Sequence, residues 1–202
     1  MNYPAFFDVI PGISLYDPLS EFLGASEGGV LQYGYLDAVR LAGHSCPTVA
    51  SAYWSTCKAL AFLYADTLPV RGDIKVEFSQ GSTSGVTGVI ANVVSMLTGA
   101  MSENGFKGIG GHFDRRNKLF FTVNMPGEIR FTRLDTKQSV TVASNLQHVP
   151  ASPRVPMLLA NCINNTATQE EITEFRQLWQ ERVRSILLDH GDDPEVFVLT
   201  HA

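Results

Sequence analysis

The pattern of apolar and polar positions changes period along the chain, and each change marks an element. In Ile74–Phe78 (IKVEF), Ile74, Val76 and Phe78 fall on one face, the period-two signature of a strand. The runs Lys118–Asn124 (KLFFTVN) and Glu128–Arg133 (EIRFTR) flank Met125-Pro126-Gly127, where proline and glycine stand in type II turn order. That arrangement predicts a β-hairpin. Ser139–Ala143 (SVTVA) predicts one more strand. Elsewhere the spacing is helical, over 31–41 ahead of Gly43, over 47–63 behind Pro47, and over 85–97 ahead of Gly99. Proline suits the first helical position because its missing N–H would have no partner there.

Pro150–Pro156 (PASPRVP) interrupts the pattern before a last helix. Thr168 and Glu171 have the spacing of a capping box. Behind them Ile172, Phe175, Leu178, Trp179, Val183, Ile186 and Leu187 form one apolar stripe, the mark of a core-facing or dimer-forming helix. Residues 1–30, rich in proline, glycine and aspartate, read as an N-terminal arm with one short helical piece near Pro18–Leu23. Residues 31–202 then form a single α+β domain, with helices packed on a mostly antiparallel sheet.

Composition narrows the classes of function. The 202 residues are 45% hydrophobic and 17% charged, which suits a folded chain with a sizeable core. A net charge of -5 leaves no basic footprint for nucleic acid or an anionic membrane surface. The start MNYPAFFDVIPG lacks the positive, then apolar, order of a signal peptide. The uncharged stretch Ser79–Met101 is too polar to span a bilayer. A cytoplasmic location is the expectation. Cys46 and Cys57 on one helix would be separated by about 16 Å of rise, too far for a disulfide, so reduced thiols are expected.

Two stretches carry candidate chemistry. The first is Gly43-His44-Ser45-Cys46-Pro47, with a histidine and a cysteine two apart at the start of a helix. Imidazole and thiolate are zinc ligands, and the start of a helix favours the thiolate. The same placement suits a nucleophile, and also a small buried cysteine with no role beyond packing. His112, behind Gly108-Ile109-Gly110-Gly111, is the best third ligand; Asp114 and Glu77 are further oxygen donors. His148, His190 and His201 read as surface residues. The second stretch, Gln80–Gly85, joins a strand to a helix. Ser82, Thr83 and Ser84 there could hold a small anion at the helix start, or Ser82 or Ser84 could simply be its N-cap. The lysine of a Walker A loop is missing.

The Gly-His-x-Cys-Pro corner, then Leu97-Thr98-Gly99, a glycine-bearing segment from Gly105 to Gly111, and Lys118-Leu119-Phe120-Phe121 follow one another in a distinctive order. Over residues 38–125 this resembles the FmdE-like family of formylmethanofuran dehydrogenase. The resemblance implies an α+β domain paired as a homodimer, with zinc or another divalent transition metal near the His44–Cys46 corner, where His112 or water would complete the ligand set. It also implies an accessory or small-ligand-binding role beside molybdenum or tungsten enzymes. Where the family's second helix carries cysteines and an aspartate, this chain has Val89, Asn92 and Ala100. A metal-binding domain that also takes a small anionic ligand is thus the leading expectation. A cysteine-dependent enzyme using Cys46, with His44 or His112 as base, is the first alternative; a structural dimer without a site is the second.

Overall fold

In the computed structural model, which describes residues 3–201, Ile74–Phe78 forms strand β3 of a five-stranded sheet. Chain order introduces β1 (Ile13–Tyr16), α1 (Pro18–Phe22), β2 (Val30–Tyr33), α2 (Tyr35–Ala42) and α3 (Pro47–Tyr64) before it. After it come α4 (Thr87–Thr98), β4 (Leu119–Phe120), β5 (Ile129–Arg133), β6 (Ser139–Ser144), α5 (Val155–Ile163), α6 (Gln169–Arg184) and β7 (Phe197–His201). The sheet runs β4-β3-β5-β6-β7, antiparallel except for the parallel β3–β4 pair. The chain is an α+β fold.

Helix α3 organises the core. Its sequence, PTVASAYWSTCKALAFLY, has no charged residue except Lys58, and small alanine, serine and threonine side chains let neighbours approach from several sides. It packs against β5 and β6 of the sheet and against α2, α4 and α6. Tyr53 and Leu60 are fully buried there, as is Phe131 of β5. Trp54 Nε1 donates to the Gly191 carbonyl at 2.7 Å, tying α3 to the C-terminal segment.

Two of the expected elements come out differently. The segment 31–41 is not one helix: Val30–Tyr33 pairs antiparallel with β1, and only after Gly34 does α2 begin. The pairing buries Leu15 and brings Phe7 and Ile10 of the N-terminal segment into the same core. The predicted hairpin does not form either. Its two runs lie on opposite edges of β3, with β4 at one edge and β5 at the other. The Met125-Pro126-Gly127 turn therefore connects the two flanks of β3. Thr122, at φ 58° in the left-handed region disfavoured for a β-branched residue, bends the run away after β4.

The capping box forms as expected: Thr168 Oγ1 accepts from Glu171 N at 3.2 Å, and Glu171 Oε2 accepts from Thr168 N at 2.8 Å. Along the stripe that follows, Val183, Ile186 and Leu187 are buried; Ile172, Phe175, Leu178 and Trp179 are half-buried. Helix α5, which the sequence pattern masked behind its prolines, packs on α6. Among the described residues, no helix is long and apolar enough to cross a membrane.

Candidate functional site

Gly43, at φ 77°, ends α2 in the left-handed conformation and turns the chain into the corner. Cys46 is the N-cap of α3; its Sγ accepts from Val49 N at 3.4 Å, and the residue is 8% exposed. His44 points the other way. It is exposed, with Nδ1 3.0 Å from the Ala42 carbonyl. Ser45 between them pins the corner to α6, its carbonyl accepting from Trp179 Nε1 at 3.1 Å and Gln180 Nε2 at 3.2 Å. The corner is anchored mainly through the serine.

His112 lies on the separate glycine-bearing loop, where Ile109 and His112 form an isolated antiparallel bridge. The oxygen donors have other partners: Glu77 pairs with Arg130 and Lys75, and Asp114 with Arg116. His148 faces Glu195, His190 faces Asp193, and His201 packs against Phe62. Among the described residues, no group of three or more His, Cys, Asp or Glu side chains stands close enough to hold a metal ion. His44, Cys46 and His112 are therefore not brought together as a three-ligand group: the sulfur is buried against a backbone N–H, and the two imidazoles lie on different surface segments.

The three cysteines are free. Burial pushes the Cys57 thiol up to about 12, so almost none of it is thiolate near neutrality. Because the thiolate is the form that alkylates, Cys57 in the native protein should react with iodoacetamide at pH 8 at least about a hundredfold more slowly than after denaturation. Mass mapping of the alkylated protein checks this, and equal rates in the two states would show that the helix opens there.

The Gln80–Gly85 segment makes two successive turns, with Ser84 N donating to Gly81 O and Thr87 N to Ser84 O. The backbone itself therefore supplies the helix start. The N-cap of α4 is Val86, with no side-chain cap hydrogen bond, so neither Ser82 nor Ser84 caps it. Ser82, Thr83 and Ser84 are all exposed, and Ser82 lines a cavity that Thr83 and Ser84 do not line.

That cavity is a cleft of about 480 Å³ along one face of α4, closed by Leu41 at the end of α2 and by the chain around 101–104. Polar atoms come from Ser82, Asn92, Ser95, Ser102 and Asn104; Met96, Met101 and Phe121 supply apolar wall. Leu41 stands two residues before Gly43, so the cleft adjoins the histidine–cysteine corner without including it. Of the three positions at which the resembled family differs, Asn92 lines the cleft, Val89 packs partly buried against the core, and Ala100 is wholly buried.

Among the described residues, Arg71 is the only charged one lining the cleft. Its Nε donates to the Met96 carbonyl at 3.1 Å and its NH1 to Asp17 Oδ2 at 2.8 Å, fixing the guanidinium at the cleft wall. Asp17 Oδ1 accepts from Arg115 NH2 at 2.6 Å and from the amides of Leu19 and Ser20. Burial would raise the Asp17 carboxyl, yet Arg71, Arg115 and the amide bonds hold it below the usual range, so it stays ionised. Two guanidinium groups thus share one carboxylate, leaving a net positive charge behind the cleft. Neither Asp17 nor Arg71 stands out in the sequence, because partners 54 positions apart carry no local pattern.

Comparison with models of known protein families, and with curated proteins, finds no match to this chain.

Proposed function

We propose that this chain is a small-molecule-binding domain that takes a small anionic ligand in the cleft between α2 and α4. The observation that carries the reading is Arg71. It is the one charged side chain facing the cleft among the described residues, held by Met96 and Asp17, and it belongs to a cluster with excess positive charge. A guanidinium keeps its charge at every physiological pH and offers donors in a fixed fork that suits carboxylate and phosphate oxygens. The hydroxyls of Ser82, Ser95 and Ser102 and the amides of Asn92 and Asn104 add neutral groups that can donate or accept, as in small-ligand sites where a few polar groups fix orientation. This reading agrees with the small-ligand-binding role that the sequence resemblance implies, and needs no metal.

The test is an amide-shift NMR titration of the whole chain with orthophosphate and, separately, with succinate. Shifts concentrated at Ser82, Asn92, Ser95 and Asn104 are expected. Asn92→Asp adds a carboxylate to the cleft from an exposed position, and like-charge repulsion should weaken binding of either anion about fivefold or more. No saturable shift with either anion, or unchanged affinity in Asn92→Asp, would overturn the reading.

A further inference from the structure

Helix α4 has a second cavity on another face. Gly88, Asn92 and Ser95, spaced by three and four, line the cleft described above; Thr87 and Ile90 face elsewhere and line a separate pocket of about 310 Å³. This pocket is bounded by the first turns of α3, through Thr48 and Ser51, and by Ser79 and Gln80 after β3. Ile129 of β5 and Ser144 of β6 complete it at the end of the sheet. Phe78, Ile90 and Ile129 give it an apolar floor.

Its one charge is negative, and the Thr48, Gln80 and Thr87 side chains add neutral groups that can donate or accept. Among the described residues, Glu128 is the only charged one in the lining. Its Oε2 accepts from Ser144 N at 3.0 Å, which holds the carboxylate at the pocket, and Oε1 has no protein donor among the described residues. Ser51 Oγ gives its proton to the Thr48 carbonyl at 3.1 Å, and Ser79 Oγ directs its proton at the Glu128 carbonyl at 3.4 Å. These two hydroxyls keep lone pairs and have committed their only hydrogen. Arg182, in an adjoining cleft that shares Glu128, turns two of its nitrogens onto the carbonyls of Val149 and Leu146. A site whose only charge is a carboxylate, with the lone pairs of Ser51 and Ser79 beside it and an apolar floor, is complementary to a cationic donor group on an apolar body.

We propose that this pocket binds the ammonium group of a small amine that carries an apolar body, with Glu128 as counter-ion. The ammonium donates to Glu128 Oε1 and to the lone pairs of Ser51 and Ser79, while the body lies on Phe78 and Ile90. Charge-assisted hydrogen bonds are roughly twice as strong as neutral ones, which sets the preference over an alcohol of the same shape. This site is independent of the anion cleft and does not rest on it.

The experiment uses 2-phenylethylamine and its neutral counterpart 2-phenylethanol, each titrated into the whole chain and followed by amide NMR shifts. The amine is expected to shift Ser79, Gln80, Thr87 and Ser144, and to bind about tenfold more tightly than the alcohol. Glu128→Gln, at an exposed position, should erase that difference by weakening the amine far more than the alcohol. Val86→Trp, which fills the pocket mouth from another exposed position, should weaken both compounds. Equal affinity for amine and alcohol, a preference that survives Glu128→Gln, or an absence of shifts at the pocket amides would each overturn the assignment. The anion titrations are read at different amides, so failure at either site leaves the other result standing.

Discussion

Asp17→Ala lowers the stability of the protein by about 3–5 kcal/mol, the range for removing one partner of a buried charged group. The carboxylate is almost wholly buried, with 4% of its side chain exposed, and it is the shared partner of Arg71 and Arg115. Without it, Arg115, itself nearly buried, keeps its charge with no counter-ion. The substitution also removes the N-cap of α1, whose Leu19 and Ser20 amides bond to Asp17 Oδ1. Urea unfolding measures the loss, and a change below about 1 kcal/mol would mean that the cluster is solvated.

The same group gives a pH signature whose sign follows from the direction of its shift. The Asp17 carboxyl is lowered in the fold, so its stabilising contribution is complete above the ordinary aspartate value of about 3.9. That contribution disappears as pH falls from there through the lower, folded-state value. The wild type should therefore lose more stability than Asp17→Asn on acidification below about pH 4.

Gly72→Ala is expected to cost about 2–5 kcal/mol, combining a left-handed backbone penalty with overpacking. Gly72 has φ +90°, and an alanine Cβ would lie 1.8 Å from Arg115 NH1. A guanidinium tip in solvent would swing aside at little cost. Here NH2 of the same group is held by Asp17, and Gly99 closes the other side, where a Cβ would come 2.6 Å from NH1. NH1 is buried with no hydrogen-bond partner among the described residues, so the two glycines act as the sides of its slot. Thermal or urea unfolding reads the effect. In an Arg115→Met background the clash is relieved, and the cost of Gly72→Ala should fall toward the backbone penalty of about 1–2 kcal/mol. An undiminished cost in that background would locate the strain elsewhere.

The local elements that were legible share a cause: their signals lie within a few neighbouring residues. Pro47 and Gly43 bound α3 and α2, Gly99 ends α4, and Thr168 with Glu171 opens α6, because caps and glycine turns are decided by the backbone within one turn. The alternation of Ile74, Val76 and Phe78 likewise identifies β3. The misread elements depend on distant partners. Leu31–Tyr33 has apolar spacing compatible with a helix, and pairing with β1 makes it a strand instead. An extended run is equally silent about which neighbour it will choose: Leu119–Phe120 joins β3 in parallel, although a proline–glycine turn leads toward β5.

The candidate sites divide in the same way. The sequence by itself determined the α+β class, the helix starts at Cys46 and near Gly85, and the presence of polar side chains around them, since all of these depend on local pattern. Only the tertiary structure decided what those residues face. It turned Cys46 inward onto Val49 and His44 outward, set Ser82 on the cleft while leaving Thr83 and Ser84 outside it, and brought Arg71 to the cleft from before β3. It also placed Glu128 beside Ser51 and Ser79 across the end of the sheet. The physical reason is that a binding pocket is a sum of long-range contacts, in which charge and burial are assigned by the packing of α3 and α4 on the sheet and not by any one stretch of chain.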